Sequence, residues 1–345
     1  MSQNIASRRS SNLMVKSKTL MRSRESGIFL VLILVSVATT LINPRFISGY
    51  GLSDLLLNTA MIGCLAVGLT PVVIARHIDL SIASATGFSA FLTAHIIVGQ
   101  GWGAIPAFFV GACVGAIIGA VNGVLIAGLR LPSLVVTLGT LYIIRGIDYQ
   151  FANNKQFTAE KLPTELVDLA QDKIFGVPYL FCLVLLLALF GAWWMRFTRF
   201  GRDLYTIGSN PQAAEIVGIK VFSRTLFAFV WCGTLAGIAG VMYLSIYAIV
   251  DSSAFINQEL IVVTAVVIGG VNIFGGVGTI VGALLGAVLL RVLIGALVAL
   301  GVAQFWQQAI NGLLLLIAIG IDRFLSRRSE TKIERIRTEK KVETP

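Results

Sequence analysis

Stretches of 15 to 25 mostly apolar residues, separated by short polar connections, run from Gly27 almost to the end of the chain. A helix needs about 20 such residues to cross the roughly 30 Å hydrocarbon core of a bilayer. On that ruler ten spans are predicted, over 27–42, 55–75, 82–98, 104–128, 133–151, 177–197, 225–249, 260–274, 277–300 and 305–321. The eighth and ninth are separated only by Gly269-Gly270-Val271-Asn272-Ile273-Phe274-Gly275-Gly276, where a break or re-entrant turn would make the count nine or eleven. The pattern predicts an all-α polytopic membrane protein of about ten transmembrane helices, with a membrane-spanning core over 27–321 between polar tails at 1–26 and 322–345.

Two connections are longer than a turn requires. Residues 152–176 hold Asn153-Asn154-Lys155 and the acidic Glu160, Glu165, Asp168 and Asp172, a composition suited to a short amphipathic helix. Residues 198–224 form the longest polar connection on the other side, a natural docking surface for a cytoplasmic partner. Within the spans, Gly111, Gly115, Gly119 and Gly123 recur at i+4 and share one helix face for about 18 Å. Gly278, Gly282 and Gly286 repeat the device, as do Gly233 and Gly237. Without side chains there, backbones can approach closely, so a tightly packed bundle is expected.

Composition agrees: 56% of the 345 residues are hydrophobic and only 13% charged, about half the share of an ordinary soluble domain. Twenty of the 44 charges lie in the two tails, and the net charge of +10 falls mostly beside apolar spans rather than in a nucleic-acid-binding patch. With the N-terminus inside, 21 Lys and Arg fall on the cytoplasmic side of the ten spans and four, Arg45, Lys155, Lys161 and Lys173, on the outer side. That asymmetry predicts both termini in the cytoplasm. The first apolar run is followed by Asn43-Pro44-Arg45 and not by small residues, which marks an anchor and not a cleavable signal. Cys64, Cys113, Cys182 and Cys232 each lie in an apolar stretch with no CxxC, as buried small side chains would.

Candidate chemistry is sparse. There are two histidines, His77 and His95, no HExxH, no paired carboxylates within one span and no Walker A sequence, so no catalytic or metal site and no bound cofactor is expected. The chain cannot hydrolyse ATP alone, and any ATP must bind a separate subunit. Asp79, before the third span, is suited either to capping that helix or to a translocation path together with Ser81. Arg145 and Asp148 are three apart and can neutralise one another. Arg291 has no local acid; Asn122, Gln307, Gln308 and Asn311 are its candidate partners from other helices. Asn122, Asn272 and Gln308 are further candidates for lining a path. The spans show no dense polar cluster, which predicts a weakly interacting channel.

Two segments carry a resemblance. Ile78-Asp79-Leu80-Ser81, and the run from Thr198 through Arg199, Gly201, Arg202, Gly208, Asn210, Pro211, Ala213 and Ala214 to Gly218, resemble the permease subunits of ribose-type ABC importers. That family serves monosaccharides such as ribose, xylose, arabinose and rhamnose, and autoinducer-2. The likeness covers about 27–322, including Pro132-Ser133, Thr137 to Leu141 and the Gly269 to Gly276 stretch. It implies a type II importer-like bundle in the bacterial inner membrane, paired with a second copy or a paralogue. It also implies a periplasmic sugar-binding protein outside and a cytoplasmic ABC ATPase inside, docked on Gly201–Gly218 with Arg199 and Arg202 binding acidic groups. The outer segment Lys161–Leu169 looks most like permeases for deoxyhexoses or autoinducer-2. Arg76-His77 departs from the family's usual Ser-Gly or Thr-Gly. An ion-coupled carrier and an intramembrane enzyme are the alternative classes; the first needs carboxylates at membrane depth, where only Asp79 and Asp148 are near, and the second shows no catalytic set.

Overall fold

The computed structural model describes residues 24–320 and 323, and the two polar tails lie largely outside that range. The chain folds into helices: α1 (Arg24–Ile42), α2 (Gly49–Ile74), α3 (Ile82–Gln100), α4 (Ala104–Leu129), α5 (Ser133–Ala152), the short α6 (Thr164–Asp168), α7 (Tyr179–Phe197), α8 (Arg199–Ser209), α9 (Pro211–Ile216), α10 (Val221–Tyr247), α11 (Glu259–Ile268) and α12 (Ile280–Ala299). A last helix, α13, spans 304–320. Six of these, α2, α3, α4, α7, α10 and α12, are long and apolar enough to cross a membrane.

The core follows from composition. Every residue of α2 from Thr59 to Ile74 is buried, so this helix is apolar all round and enclosed by its neighbours. α10 lies beside it and packs most extensively of all against α4. There the glycine faces meet: a Cβ on Gly115 would strike the carbonyl of Gly233, and one on Gly237 the carbonyl of Gly111. The two backbones touch because neither carries a side chain at the crossing. α12 covers the other flank of α2 and supports α1, while α5 leans on α3 and α4.

The bundle has two distinct ends. At one, the turn after α2, the α8–α9 segment and the 269–279 loop converge: Gly276 N–H donates to Ile74 O at 2.9 Å and the Tyr205 hydroxyl to Gly278 O at 2.9 Å. Arg76 closes the turn after α2 in the left-handed region, φ 69°, the conformation its unusual Arg-His pair must adopt there. At the other end, β1 (Phe157–Thr158) pairs antiparallel with β2 (Ile249–Val250), and Asn43 Nδ2 donates to Ala299 O at 3.4 Å.

Residues 152–176 hold the short amphipathic helix expected there, α6, which buries Leu166 and exposes Thr164, Glu165 and Asp168, with short strand pieces around it. One expectation is corrected. The eighth apolar stretch does not run to 274. α11 stops at Ile268 because Gly269 is pressed against the backbone of Gly282 and Gly270 takes φ 85°, turning the chain. Ten residues of α11 extend about 15 Å, half a bilayer.

Candidate functional site

α8 is built as a surface helix. Thr198 caps it, its Oγ1 accepting from Gly201 N–H at 3.1 Å. Leu204, Ile207 and Gly208 face inward, while Arg199, Arg202 and Thr206 lie exposed along the opposite face. A Cβ at Gly208 would collide with Ile74 O, and one at Gly201 with the backbone of Met195, so both glycines fit the helix onto the bundle rather than face a partner. Arg202 Nη1 also donates to Phe197 O at 3.1 Å. Burial pushes the Tyr205 hydroxyl above its ordinary pKa, which keeps it a donor to Gly278.

Asn210 then caps α9, its Oδ1 accepting from Ala213 N–H at 3.0 Å, with Pro211 in the first turn where its missing N–H costs nothing. Gly218 ends the unit at φ 81°, donating to Glu215 O at 3.0 Å while Ile219 N–H reaches Ala214 O at 3.0 Å. Ala214 is 0% exposed. Ala213 is exposed, and beyond it Ile216 and Val217 stand 86% and 70% exposed. Both lie within the Gly201–Gly218 segment expected to dock, where Glu215-Ile216-Val217 places them at the end of a short polar helix. A cavity of about 900 Å³ opens beside α9, lined by Arg76, His77, Arg130, Glu215 and Lys220 among others. Burial lowers the His77 pKa to about 4, so the imidazole is neutral at pH 7.

The candidate path residues fall into three places. Asp79, Ser81 and Asn122 form one buried network: Asp79 Oδ1 accepts from Ser81 N–H at 2.9 Å and from its hydroxyl at 2.6 Å, and Asn122 Nδ2 donates to Ser81 Oγ at 2.8 Å. All three are 2% exposed or less and line none of the cavities described. Burial raises the Asp79 pKa, opposed by hydrogen bonds from Ser81 and the Cys232 thiol. Asp79 thus caps the start of α3 as one of its two expected roles required, taking the free N–H of Ser81, the residue that precedes the helix, and its hydroxyl as well. Asn272 turns the loop at the α8 end, its Oδ1 accepting from Phe274 N–H at 2.7 Å.

Gln308 lies toward the opposite end, in a cavity of about 390 Å³ whose wall also includes Glu259, Arg291, Gln304, Gln307 and Asn311. The expectation of no dense polar cluster therefore fails: Gln304, Gln307, Gln308 and Asn311 occupy one helix face at i, i+3, i+4 and i+7. Arg291 faces Gln307, Gln308 and Asn311 across this cavity and not Asn122. Arg145 is 3.9 Å from Asp148 as the spacing suggested, but its hydrogen bonds go to Ser252 O and Ala254 O at 3.2 and 2.9 Å.

A family model described as "Branched-chain amino acid transport system / permease component" matches residues 51–319. The autoinducer 2 import system permease protein LsrC of Enterobacter sp. (strain 638) is 33% identical over 305 residues, 88% of each chain. Its counterpart in Klebsiella pneumoniae is 34% identical over the same share, and that of Escherichia coli O9:H4 31% identical over 318 residues, 92% of each chain. No solved structure matches the chain.

Proposed function

Since the chain belongs to the family of transport-system permease components, a transporting subunit and not an enzyme, we propose that it is the membrane-spanning permease of an ABC importer for a monosaccharide, a deoxyhexose such as rhamnose, or autoinducer-2. Ten segments pass through the bacterial inner membrane, the eighth made of α11 together with the 269–279 loop, with both termini inside, and a second copy or a paralogue completes the path. A periplasmic binding protein delivers the substrate, and a cytoplasmic ATPase binds and hydrolyses ATP. The observation that carries the reading is the α8–α9 unit, a capped helix pair that exposes Ile216 and Val217 on α9 and its end, and Arg199 and Arg202 on α8. Apolar side chains at the tip of a polar surface have no folding role and are suited to a groove on a partner. The basic pair beside them supplies charge complementarity to an acidic rim. An ion-coupled carrier is disfavoured, because Asp79 and Asp148 are both sealed from the described cavities.

The test is uptake into vesicles carrying the permease with its genomic neighbours, an ATPase and a binding protein, using labelled ribose, rhamnose and autoinducer-2. Uptake of one of them that requires both ATP and the binding protein is expected. Uptake driven by an ion gradient with no ATPase present would overturn the reading.

A further inference from the structure

The cavity at the start of α11 is unlike the rest of the bundle. Four amides, Gln304, Gln307, Gln308 and Asn311, line it from one face of α13, a helix otherwise dominated by Leu, Ile and Ala. Opposite stand Arg291 from α12 and Glu259 from α11. These groups are not consumed by one another. Gln307 Nε2 donates to Val302 O at 3.0 Å, but Asn311 Oδ1 is buried with no hydrogen-bond partner, and Arg291 makes no ion pair within 4 Å among the described residues. Asp54 shares with Arg291 the lining of a neighbouring cavity of about 260 Å³ but makes no ion pair with it.

A buried acceptor without a donor is costly, and so is an unpaired cation in an apolar bundle. Both are accounted for by a ligand that brings donors and acceptors with it. Amides both donate and accept, as hydroxyl groups do, and one Arg with one Glu favours neither sign of net charge. The volume of about 390 Å³ lies at the lower end of the ~300–1,000 Å³ typical of small-molecule pockets. An acyl chain or an apolar side chain from a second copy would leave the amides unpaired. We infer that this cavity is a transit site for a neutral polyhydroxylated small molecule, held by the α13 amides, Arg291 and Glu259. No aromatic ring is among its lining residues, so nothing stacks on a sugar face and release is fast, as passage requires. The inference rests on the importer reading above and adds to it a place in the permease that touches the substrate.

Two experiments on the complete importer test it. In the first, Gln308→Cys is introduced with the four native cysteines replaced, and labelling by a small charged thiol reagent is followed with and without ribose, rhamnose or autoinducer-2. The probe that the wild type imports slows labelling at Gln308→Cys and leaves an exposed control, Lys161→Cys, unaffected. The second variant, Gln304→Leu with Gln308→Leu, keeps the native cysteines and suits an apolar helix. Since a binding protein sets the apparent affinity, kcat for uptake should fall about tenfold with little change in KM, while ATP hydrolysis without substrate is retained. Unprotected labelling together with unchanged uptake in the double variant would overturn the transit site and leave the importer standing. Cross-linking of Gln308→Cys between two permease copies would also overturn the site, in favour of a subunit interface. Failure of the wild type to import any of the three probes with its partners present would remove both.

Discussion

Ala214 and Ile216 lie two residues apart on α9, yet one points into the protein and the other out. Ala214, chosen from sequence as a docking residue, is 0% exposed. Its replacement by Glu would bury an unpaired carboxylate, which costs several kcal/mol, so Ala214→Glu should lower the amount of folded permease in the membrane. The docking test belongs to its neighbours. Ile216→Asp with Val217→Asp should leave that amount unchanged while weakening association with the ATPase by about 2 kcal/mol or more, roughly thirtyfold, as measured by co-purification and by substrate-stimulated ATP hydrolysis. Normal coupling in that variant would remove α9 from the interface. Asp79 offers a contrasting case. Asp79→Ala strips the Ser81 N–H and hydroxyl of their acceptor in a buried site and should cost about 1–3 kcal/mol in detergent melting, with Asp79→Asn closer to wild type because its Oδ1 still accepts. Identity and spacing made Asp79 and its local partner Ser81 conspicuous in the sequence, but that α4 brings Asn122 to the Ser81 hydroxyl required the fold.

At the scale of the element, the i+4 glycines were legible and their partner was not. Two stripes, 111/115/119/123 and 233/237, predicted close crossings; only the fold shows that they face each other. Even one methyl group is too large there. Gly115→Ala and Gly237→Ala should each destabilise the permease by about 1–3 kcal/mol through overpacking. Gly146→Ala, on the open side of α5 with nothing near its added carbon, should be neutral or gain up to about 1 kcal/mol of helix propensity. Melting curves of the purified variants in one detergent separate the two classes, and equal melting of all three would refute the seam. The end of α11 was half legible. The glycines from Gly269 to Gly276 marked a break, as found, but hydropathy counts Val271 and Ile273 as readily as Val266, and the close approach of Gly269 to Gly282 lies outside any local window.

For the molecule as a whole, the positive-inside count makes a test of orientation possible. A reporter active only in the periplasm should be silent after Pro345 and active when inserted near Lys161, since 21 of the 25 Lys and Arg in the tails and connections, Arg196 at the end of its span counted with them, fall on one side. Activity at both positions would refute the ten-span orientation. The polar cavity shows where the sequence reading stopped: Gln307, Gln308 and Asn311 were noticed one at a time as partners for Arg291, and the helical period that joins them to Gln304 was the missing signal. The glycine seam has a kinematic consequence as well. Where two backbones touch directly there are no rotamers to adjust, so sliding by one residue would bring Val or Ala side chains onto a facing carbonyl. α4 and α10 therefore have one register and almost no relative freedom, and any alternation between inward- and outward-open forms must carry the pair as a single rigid plank, with the displacement taken up in less tightly joined helices such as α5 and the short α11.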